Sequence, residues 1–318
     1  MQRTSQQRIR NWGKYNSSLV ARGRVTVWIG GDARAGWNNT QGSGQRGRVK
    51  TYSDSAILCV LTIQAVYGQT LRGAQGMVES LFEMMGTELS VPNYTTICRR
   101  RASLKIPLAV RRRKGEALHV VVDSTGFKVY GEGEWKVRKH GWSKRRTWRK
   151  LHIGVDESSL EIVSAVGTGN DCADKEMLSS LLDDIEEPLD QVSGDGGYDA
   201  RDCYEAITQR GARAVIPPQR NAKLWKHDPR WDQRNKNLLR IRELETVFED
   251  EEEGRKQWKQ ETDYHRRSLV ETTMMRLKTI FGAKLTPRIV QAQDSELLLR
   301  CRILNQMTHL GMPEYDKR

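Results

Sequence analysis

The sequence predicts an α/β domain with a mixed sheet, preceded by a basic helical region. From about residue 115, segments rich in Val and Ile alternate with helical segments, a pattern typical of helices packed on a central sheet. Residues 51–110 instead show helical spacing, with Ser, Thr or Asn at each expected start. The formal net charge of +13 lies in residues 1–114, where 19 Lys and Arg stand against 5 Asp and Glu. This charge indicates a polyanion-binding region beside a near-neutral domain; a generic solubilising surface is the alternative.

The composition is that of a globular protein. With 318 residues, of which 37% are hydrophobic and 29% charged, the chain has room for about two domains. Its longest apolar run, Ala56–Ile63, is far shorter than the roughly 18 residues of a membrane span, so we expect a cytoplasmic protein with no membrane partner. Five scattered cysteines without a Cys-x-x-Cys pair indicate neither a disulfide framework nor a zinc knuckle.

Residues 1–50 are predicted to be a basic N-terminal arm followed by a flexible linker. Residues 11–29 mix Trp and Tyr with Arg and Lys, and predict a short helix followed by a strand. Residues 30–50 are rich in Gly, Asn, Gln, Ser and Arg, and offer little apolar surface to bury. This composition predicts a flexible basic linker.

Residues 51–110 are predicted to be a helical DNA-binding region. The expected capping residues of three helices are Ser53, Thr70 and Asn93. The third helix carries Arg99, Arg100 and Arg101. Three short helices of which the last is basic resemble a helix-turn-helix unit with its recognition helix. The segment before Asn93 is longer than the usual turn, so an ordinary helical bundle remains the alternative.

Residues 111–318 are predicted to form the α/β domain. Strands are expected at about 119–126, 147–156 and 160–168, followed by alternating helices and strands up to residue 218. A polar insertion at about 219–262 interrupts the pattern, and its acidic run, Glu249–Glu253, is expected to be a solvated helix face. A final helix is expected to end at Gly311.

One predicted helix gathers cations around a single glutamate. At about 100° per residue, the side chains of Tyr264, Arg267, Glu271 and Lys278 fall within an arc of about 60°. Apolar residues, among them Val270 and Met274, adjoin this face and can pack on the sheet. A carboxylate among cations suits a site for both a metal ion and phosphates; intrahelical pairing of Arg267 with Glu271 is an equally good interpretation of the helix alone.

Two aspartates are expected where strands pass into small-residue turns. Asp123 follows a Val-rich segment and precedes Ser-Thr-Gly, and Asp195 precedes two glycines. Because ligands of open α/β sheets bind at the carboxyl ends of strands, we expect these carboxylates to meet there. With a third carboxylate from a helix they would suit Mg²⁺. Asp156 also ends a predicted strand, but it precedes an apparent hairpin and is interpreted as a turn residue.

These motifs resemble the bacterial insertion-sequence transposases of the DDE type, of the groups numbered four and five. "DSTG" at 123–126 is similar to the first-aspartate motif and "DGGYD" at 195–199 to the second. The spacing of Tyr264, Arg267, Glu271 and Lys278 resembles the third signature, Tyr, two residues, Arg, three residues, Glu, six residues, Lys. The resemblance extends over nearly the whole chain, and the insertion at 219–262 departs from it.

The resemblance implies a ribonuclease-H-like catalytic core that transfers phosphoryl groups on DNA. It implies that Asp123, Asp195 and Glu271 bind two Mg²⁺ or Mn²⁺ ions, with Asp123 bridging them, and that Tyr264, Arg267 and Lys278 hold terminal DNA phosphates and bases. The expected partners are terminal inverted repeats and target DNA, bound by a homodimer. The expected location is the bacterial nucleoid.

The segment from Lys128 to Lys150 adds nine Lys or Arg close after the first aspartate. Basic residues interleaved with tryptophans predict a DNA-tracking surface, and a solvated β-hairpin is the alternative. The DNA-contacting residues predicted here are Trp135, Lys136, Arg138 and Lys139. Trp225 and Trp258, in the insertion, are interpreted as packing residues.

Two other functions compete with a transposase. A sequence-specific DNA-binding regulator would share the basic region but would have no need for three carboxylates beside DNA. A tyrosine recombinase using Tyr264 needs a His-x-x-Arg motif, whereas His265 is followed by Arg267 and not by an arginine at 268.

Overall fold

The computed structural model describes residues 8–29, 35–39, 51–111, 115–129 and 148–315. The chain divides into two compact units: residues 1–107 together with 302–318, and residues 108–301. The closing residues 302–318 therefore belong to the N-terminal unit, whereas the sequence pattern places them with the α/β domain.

Helices form the first unit. Their bounds are Trp12–Arg22 (α1), Val25–Trp28 (α2), Asp54–Val66 (α3), Leu71–Met84 (α4) and Tyr94–Arg101 (α5). The three predicted caps are confirmed: Ser53 accepts from the Ala56 N–H, Thr70 from that of Gly73 and Asn93 from that of Thr95. The strand expected near residue 28 is wrong, because Val25–Trp28 is helical and the Trp28 indole donates to the Arg22 carbonyl at 2.9 Å.

Part of the expected linker is ordered and packed. Of residues 30–50, the structure describes 35–39. Trp37 is fully buried, donates from its indole to the Ser90 carbonyl at 2.8 Å and meets Phe82 edge to face. A single large aromatic side chain thus anchors these residues, against the expectation of a flexible segment; the rest of 30–50 lies outside the described residues.

The second unit is built on a mixed sheet. Its strands are Leu118–Val129 (β1), Trp148–Asp156 (β2), Ile162–Gly169 (β3), Leu189–Ser193 (β4), Arg213–Val215 (β5) and Lys284–Leu285 (β6). The order is β3-β2-β1-β4-β5, with β1, β2 and β3 antiparallel, β4 and β5 parallel to β1, and β6 beside the far end of β1. The predicted α/β class with mixed pairing is confirmed.

Helices cover this sheet. They are Leu178–Asp183 (α6), Arg201–Gln209 (α7), Asp232–Phe248 (α8), Glu251–Glu261 (α9), Ser268–Phe281 (α10) and Val290–Leu310 (α11), the last of which continues into the first unit. Val120 and Val122 share an apolar core with residues of α6 and α7. Alternate residues of a strand face opposite sides, so Val121 and Asp123 face away from this core, toward α10.

The insertion at 219–262 begins with a non-helical segment and a 3₁₀ turn, Pro229–Trp231, and continues as a helical hairpin of α8 and α9. Gly254 lets the helices approach closely, since a Cβ there would lie 2.5 Å from the backbone nitrogen of Glu245. Trp225 packs against Tyr204, and Trp258 is buried against Tyr264, as expected for packing residues. The acidic run begins α9, where Asp250 caps the first turn and negative charge is favourable to the helix dipole.

Candidate functional site

The first two predicted acids come from neighbouring parallel strands, Asp123 within β1 and Asp195 just after β4. Val121 of β1 pairs with Ser193 of β4, and two residues further along each chain come Asp123 and Asp195. Asp195 follows the end of β4, as predicted. Asp123 does not end its strand: β1 continues to Val129 because its pairing with β2 extends to Lys128.

The glycine before Asp195 is required by a close approach. A Cβ on Gly194 would lie 2.9 Å from the Tyr198 ring and 3.2 Å from a Val122 methyl. The buried ring of Tyr198 thus lies against the backbone where the chain leaves β4. Asp195 then caps a short 3₁₀ turn, Gly196–Tyr198, and accepts from the Gly197 N–H at 2.8 Å. This turn fixes the direction in which the second carboxylate leaves the sheet.

The segment carrying Glu271 is not one uniform helix. Residues Tyr264–Arg267 form a 3₁₀ turn, entered through Asp263 with a left-handed φ of 53°, and α10 begins at Ser268. The apolar flank behaves as predicted, since Val270 and Met274 are buried. The 3₁₀ turn changes the angles at which the side chains of Tyr264 and Arg267 project around the helix axis, compared with a continuous α-helix. Arg267 and Glu271 nevertheless remain in contact.

Arg267 links two of the three acids. Its Nη1 lies 3.2 Å from Oδ2 of Asp123, and its Nη2 donates to Oε1 of Glu271. Burial raises the pKa of Asp123 above its usual value, and the negative charges of Asp195 and Glu271 raise it further, against the Ser124 N–H and Arg267. Burial opposes the charge of Arg267, but Tyr264, Glu271 and Asp123 raise its pKa overall. The pairing of Arg267 with Glu271, one of the two interpretations of the sequence, is present, and the same guanidinium also contacts Asp123.

An open groove runs along the site. Its volume is about 550 Å³, and the residues that line it include Asp123, Ser124, Glu271 and Lys278. The Lys278 ammonium lies 5.6 Å from the ring centroid of Phe127. Tyr264 stands beside Arg267, whose guanidinium carbon is 5.9 Å from its ring centroid, and packs against buried Trp258. Of the four residues of the predicted signature, Glu271 and Lys278 line the groove, and Arg267 is connected to it through its contacts with Asp123 and Glu271.

The three predicted acids carry the type of donor atom that a hard divalent cation prefers. Asp123, Asp195 and Glu271 offer carboxylate oxygens, which Mg²⁺ prefers. A positive group already lies between two of them, since Arg267 contacts both Asp123 and Glu271. Within the described residues, however, no three His, Cys, Asp or Glu side chains are close enough as placed to hold an ion. Because Arg267 contacts both Asp123 and Glu271, it would compete with a metal ion for these carboxylates.

The other predicted DNA contacts are more dispersed. In the first unit Arg99 is exposed, Arg100 binds Asp54 and the Tyr52 carbonyl, and Arg101 is buried. The three arginines therefore do not form one shared basic surface. Trp135, Lys136, Arg138 and Lys139 lie outside the described residues.

Sequence reasoning missed two polar contacts that support the site. Asp174, in a 3₁₀ turn after β3, accepts from the Ser124 hydroxyl at 2.8 Å. Asp199, at the end of the second motif, pairs with Arg234 of α8, both almost fully buried. Neither contact could be recognised in the sequence, where each aspartate is only a carboxylate near a motif. Each contact joins segments that are remote along the chain.

The sheet order, with β1–β3 antiparallel and β4 and β5 parallel to β1, is that of a ribonuclease-H-like core, the class found in nucleic-acid-processing enzymes. Two family models, each described as a transposase DDE domain, match residues 114–306 and residues 20–132. The first match covers more than half of the chain. The chain belongs to the DDE transposases, enzymes that cleave and join DNA, and the predicted family is confirmed.

No solved structure matches the chain. Its partner is DNA, as the family implies, and the family typically uses divalent metal ions. In the parts of the chain that the structure describes, no helix combines the length and apolar character of a membrane span.

Proposed function

We propose that this transposase binds the terminal inverted repeats of a bacterial insertion sequence, cleaves the DNA at the element ends and joins the freed 3′ ends to target DNA. The observation that supports this most directly is the contact of Arg267 with both Asp123 and Glu271. It brings acids from remote parts of the chain to one groove, which Lys278 also lines.

In this proposal the three carboxylates and the cations act on different parts of the DNA. Asp123, Asp195 and Glu271 would hold the divalent ions, which when bound would activate a water or a DNA 3′-hydroxyl and stabilise the leaving oxygen. Arg267 would leave the carboxylates and bind a DNA phosphate, to which its guanidinium can donate two hydrogen bonds. Lys278 would contribute a point charge along the same groove, and Tyr264 an aromatic surface for a base.

The proposed assembly is a homodimer that pairs two element ends at the nucleoid. In the first unit Arg99 is the exposed member of the arginine group and the best candidate for a phosphate contact. The basic segment 128–150, which follows Asp123 closely in the sequence, is proposed to contribute to DNA binding.

The test uses the full-length protein and linear DNA that carries its reading frame with the natural flanks. We expect Mg²⁺-dependent cuts at short inverted repeats, followed by joining of the 3′ ends to a second DNA. Asp123→Asn, Asp195→Asn and Glu271→Gln should each abolish cutting while leaving DNA binding in a gel-shift assay. The exposed Asp184 provides a matched control, since Asp184→Asn should cut normally. Retained cutting by any of the three site variants removes that residue from the site, and binding without cutting by the wild type would identify a regulator instead.

A further inference from the structure

Asp174 forms a polar cluster directly behind the first acidic residue of the site. Its Oδ1 accepts from the Ser124 hydroxyl at 2.8 Å and from the Lys150 ammonium at 2.8 Å. The Nδ1 of buried His152 lies 3.6 Å from the same oxygen. Two donors, from β1 and β2, thus converge on one carboxylate oxygen that comes from a turn after β3, and the ring of His152 lies close by without a hydrogen bond to it.

Ser124 connects this cluster with Asp123. Its backbone N–H donates to Oδ1 of Asp123 at 2.7 Å, while its hydroxyl donates to Asp174. Ser124 therefore contacts both carboxylates. Its backbone N–H orients Asp123, and its hydroxyl binds Asp174. Ser124 also lines the groove together with Asp123 and Glu271.

A buried tyrosine lies near Asp174 and near both aspartates of the site. The hydroxyl of Tyr198 is buried and has no hydrogen-bond partner among the described residues. Burial raises the pKa of Tyr198, and the negative charges of Asp174, Asp123 and Asp195 raise it further. All three carboxylates therefore raise the pKa of this one buried hydroxyl.

Asp174 remains an anion in this setting. Partial burial works against its charge, but hydrogen bonds from Lys150 and Ser124 lower the pKa of Asp174 below its usual value. Its charge balances that of Lys150, which also donates to the Cys172 carbonyl at 2.9 Å. Without the Asp174 charge, the cation of Lys150 would be left beside a site that has to attract metal ions.

We propose that Asp174 is a positioning residue for Asp123, acting through Ser124 and by neutralising Lys150. The inference rests on the proposed function, because it assigns Asp174 to the support of a metal-binding carboxylate. Residues that hold metal ligands in place typically change metal affinity or activity by about 10- to 100-fold when they are replaced.

The test measures Mn²⁺ binding to the full-length, DNA-free protein by electron paramagnetic resonance, and the Mg²⁺ concentration that half-saturates DNA cleavage. Asp174→Asn should weaken Mn²⁺ binding about tenfold and raise the half-saturating Mg²⁺ concentration by a similar factor. The cleavage rate at saturating Mg²⁺ should fall much less. A merely structural role would instead lower the maximal rate and the melting temperature at every Mg²⁺ concentration.

Ser124→Ala provides a variant that keeps the backbone and removes only the hydroxyl. It should weaken Mn²⁺ binding in the same direction but less than Asp174→Asn, and the double variant should be no weaker than Asp174→Asn, because both changes act on one path. Asp184→Asn, the same chemical change at an exposed position, should bind Mn²⁺ like the wild type.

The outcomes separate this inference from the proposed function. If Asp123→Ala loses Mn²⁺ binding while Asp174→Asn and Ser124→Ala keep the wild-type affinity, the role of Asp174 is refuted and the metal site stands. If Asp123→Ala binds Mn²⁺ as tightly as the wild type, the proposed metal site itself is refuted.

Discussion

Replacing Arg267 by Ala should have opposite effects on metal binding and on DNA binding. In the DNA-free protein the guanidinium of Arg267 contacts Asp123 and Glu271 and would compete with a metal ion for these carboxylates. Arg267→Ala removes this competitor and one positive charge. We therefore expect Mn²⁺ to bind the DNA-free variant more tightly than the wild type.

The size of the effect follows from the geometry. At 3.2 Å between Nη1 of Arg267 and Oδ2 of Asp123, the Coulomb energy is about 5 kcal/mol at an effective dielectric constant of about 20. Glu271 is more than half exposed, and water competes for all three groups, so the net value is closer to the roughly 1.5–3 kcal/mol of a hydrogen bond to a charged group. Since about 1.4 kcal/mol corresponds to a factor of ten, Mn²⁺ should bind at least about tenfold more tightly.

The assay is a titration of DNA-free protein with Mn²⁺, paired with a gel shift on element-end DNA. Arg266→Ala is the matched control, because the neighbouring cation pairs with Glu157 rather than with the site. It removes the same charge and should change Mn²⁺ affinity much less. Weaker DNA binding by Arg267→Ala is also expected. An Mn²⁺ affinity equal to or below that of the wild type would show that Arg267 does not restrain the carboxylates.

Three further predictions concern the support of the site and the first unit. Gly194→Ala should destabilise the protein by about 1–3 kcal/mol in urea unfolding, because its Cβ would overlap the Tyr198 ring; an unchanged midpoint would mean that the ring moves freely. Burial, together with nearby cations, lowers the pKa of His119 to about 4 in the folded protein. The neutral imidazole therefore contributes to stability above about pH 6.5, the ordinary pKa of histidine. This contribution, about 2–3 kcal/mol, is lost as the pH falls toward about 4. His119→Gln should therefore show a smaller loss of unfolding free energy between pH 7 and pH 4.5 than the wild type, and equal losses would contradict the assignment. Arg99→Ala should weaken DNA binding at moderate salt more than Arg100→Ala, whose side chain is already paired with a carboxylate; the reverse order would place DNA on the other side of the helix.

Much of the site was predictable because its signals are local. The side chains of Ser53, Thr70 and Asn93 cap helices through N–H groups two or three residues away. The alternation of apolar segments predicted the sheet, and the spacing from Tyr264 to Lys278 singled out Glu271 and Lys278, which line one groove together with Asp123. The sequence also predicted that Trp225 and Trp258 are packing residues: Trp225 is partly buried against Tyr204, and Trp258 is buried.

Features that depend on pairing between remote segments were mispredicted or missed. Asp123 was expected to end its strand, but the partner strand β2 extends β1 past it. Trp37 was assigned to a linker, although the carbonyl of Ser90 and the ring of Phe82 hold it in the core. Asp174 had no recognisable role until folding placed it against Ser124.

The sequence by itself predicted most of the helices and strands and the charge asymmetry, and it singled out three candidate acids, because propensity, capping and residue spacing act over a few positions. Only the tertiary structure decided which cation lies between Asp123 and Glu271 and which carboxylate stands behind Ser124. The contact of Ser124 with Asp174 joins residues 50 apart along the chain, and that of Asp123 with Arg267 joins residues 144 apart. Contacts over such distances depend on the packing of the whole sheet rather than on any local pattern.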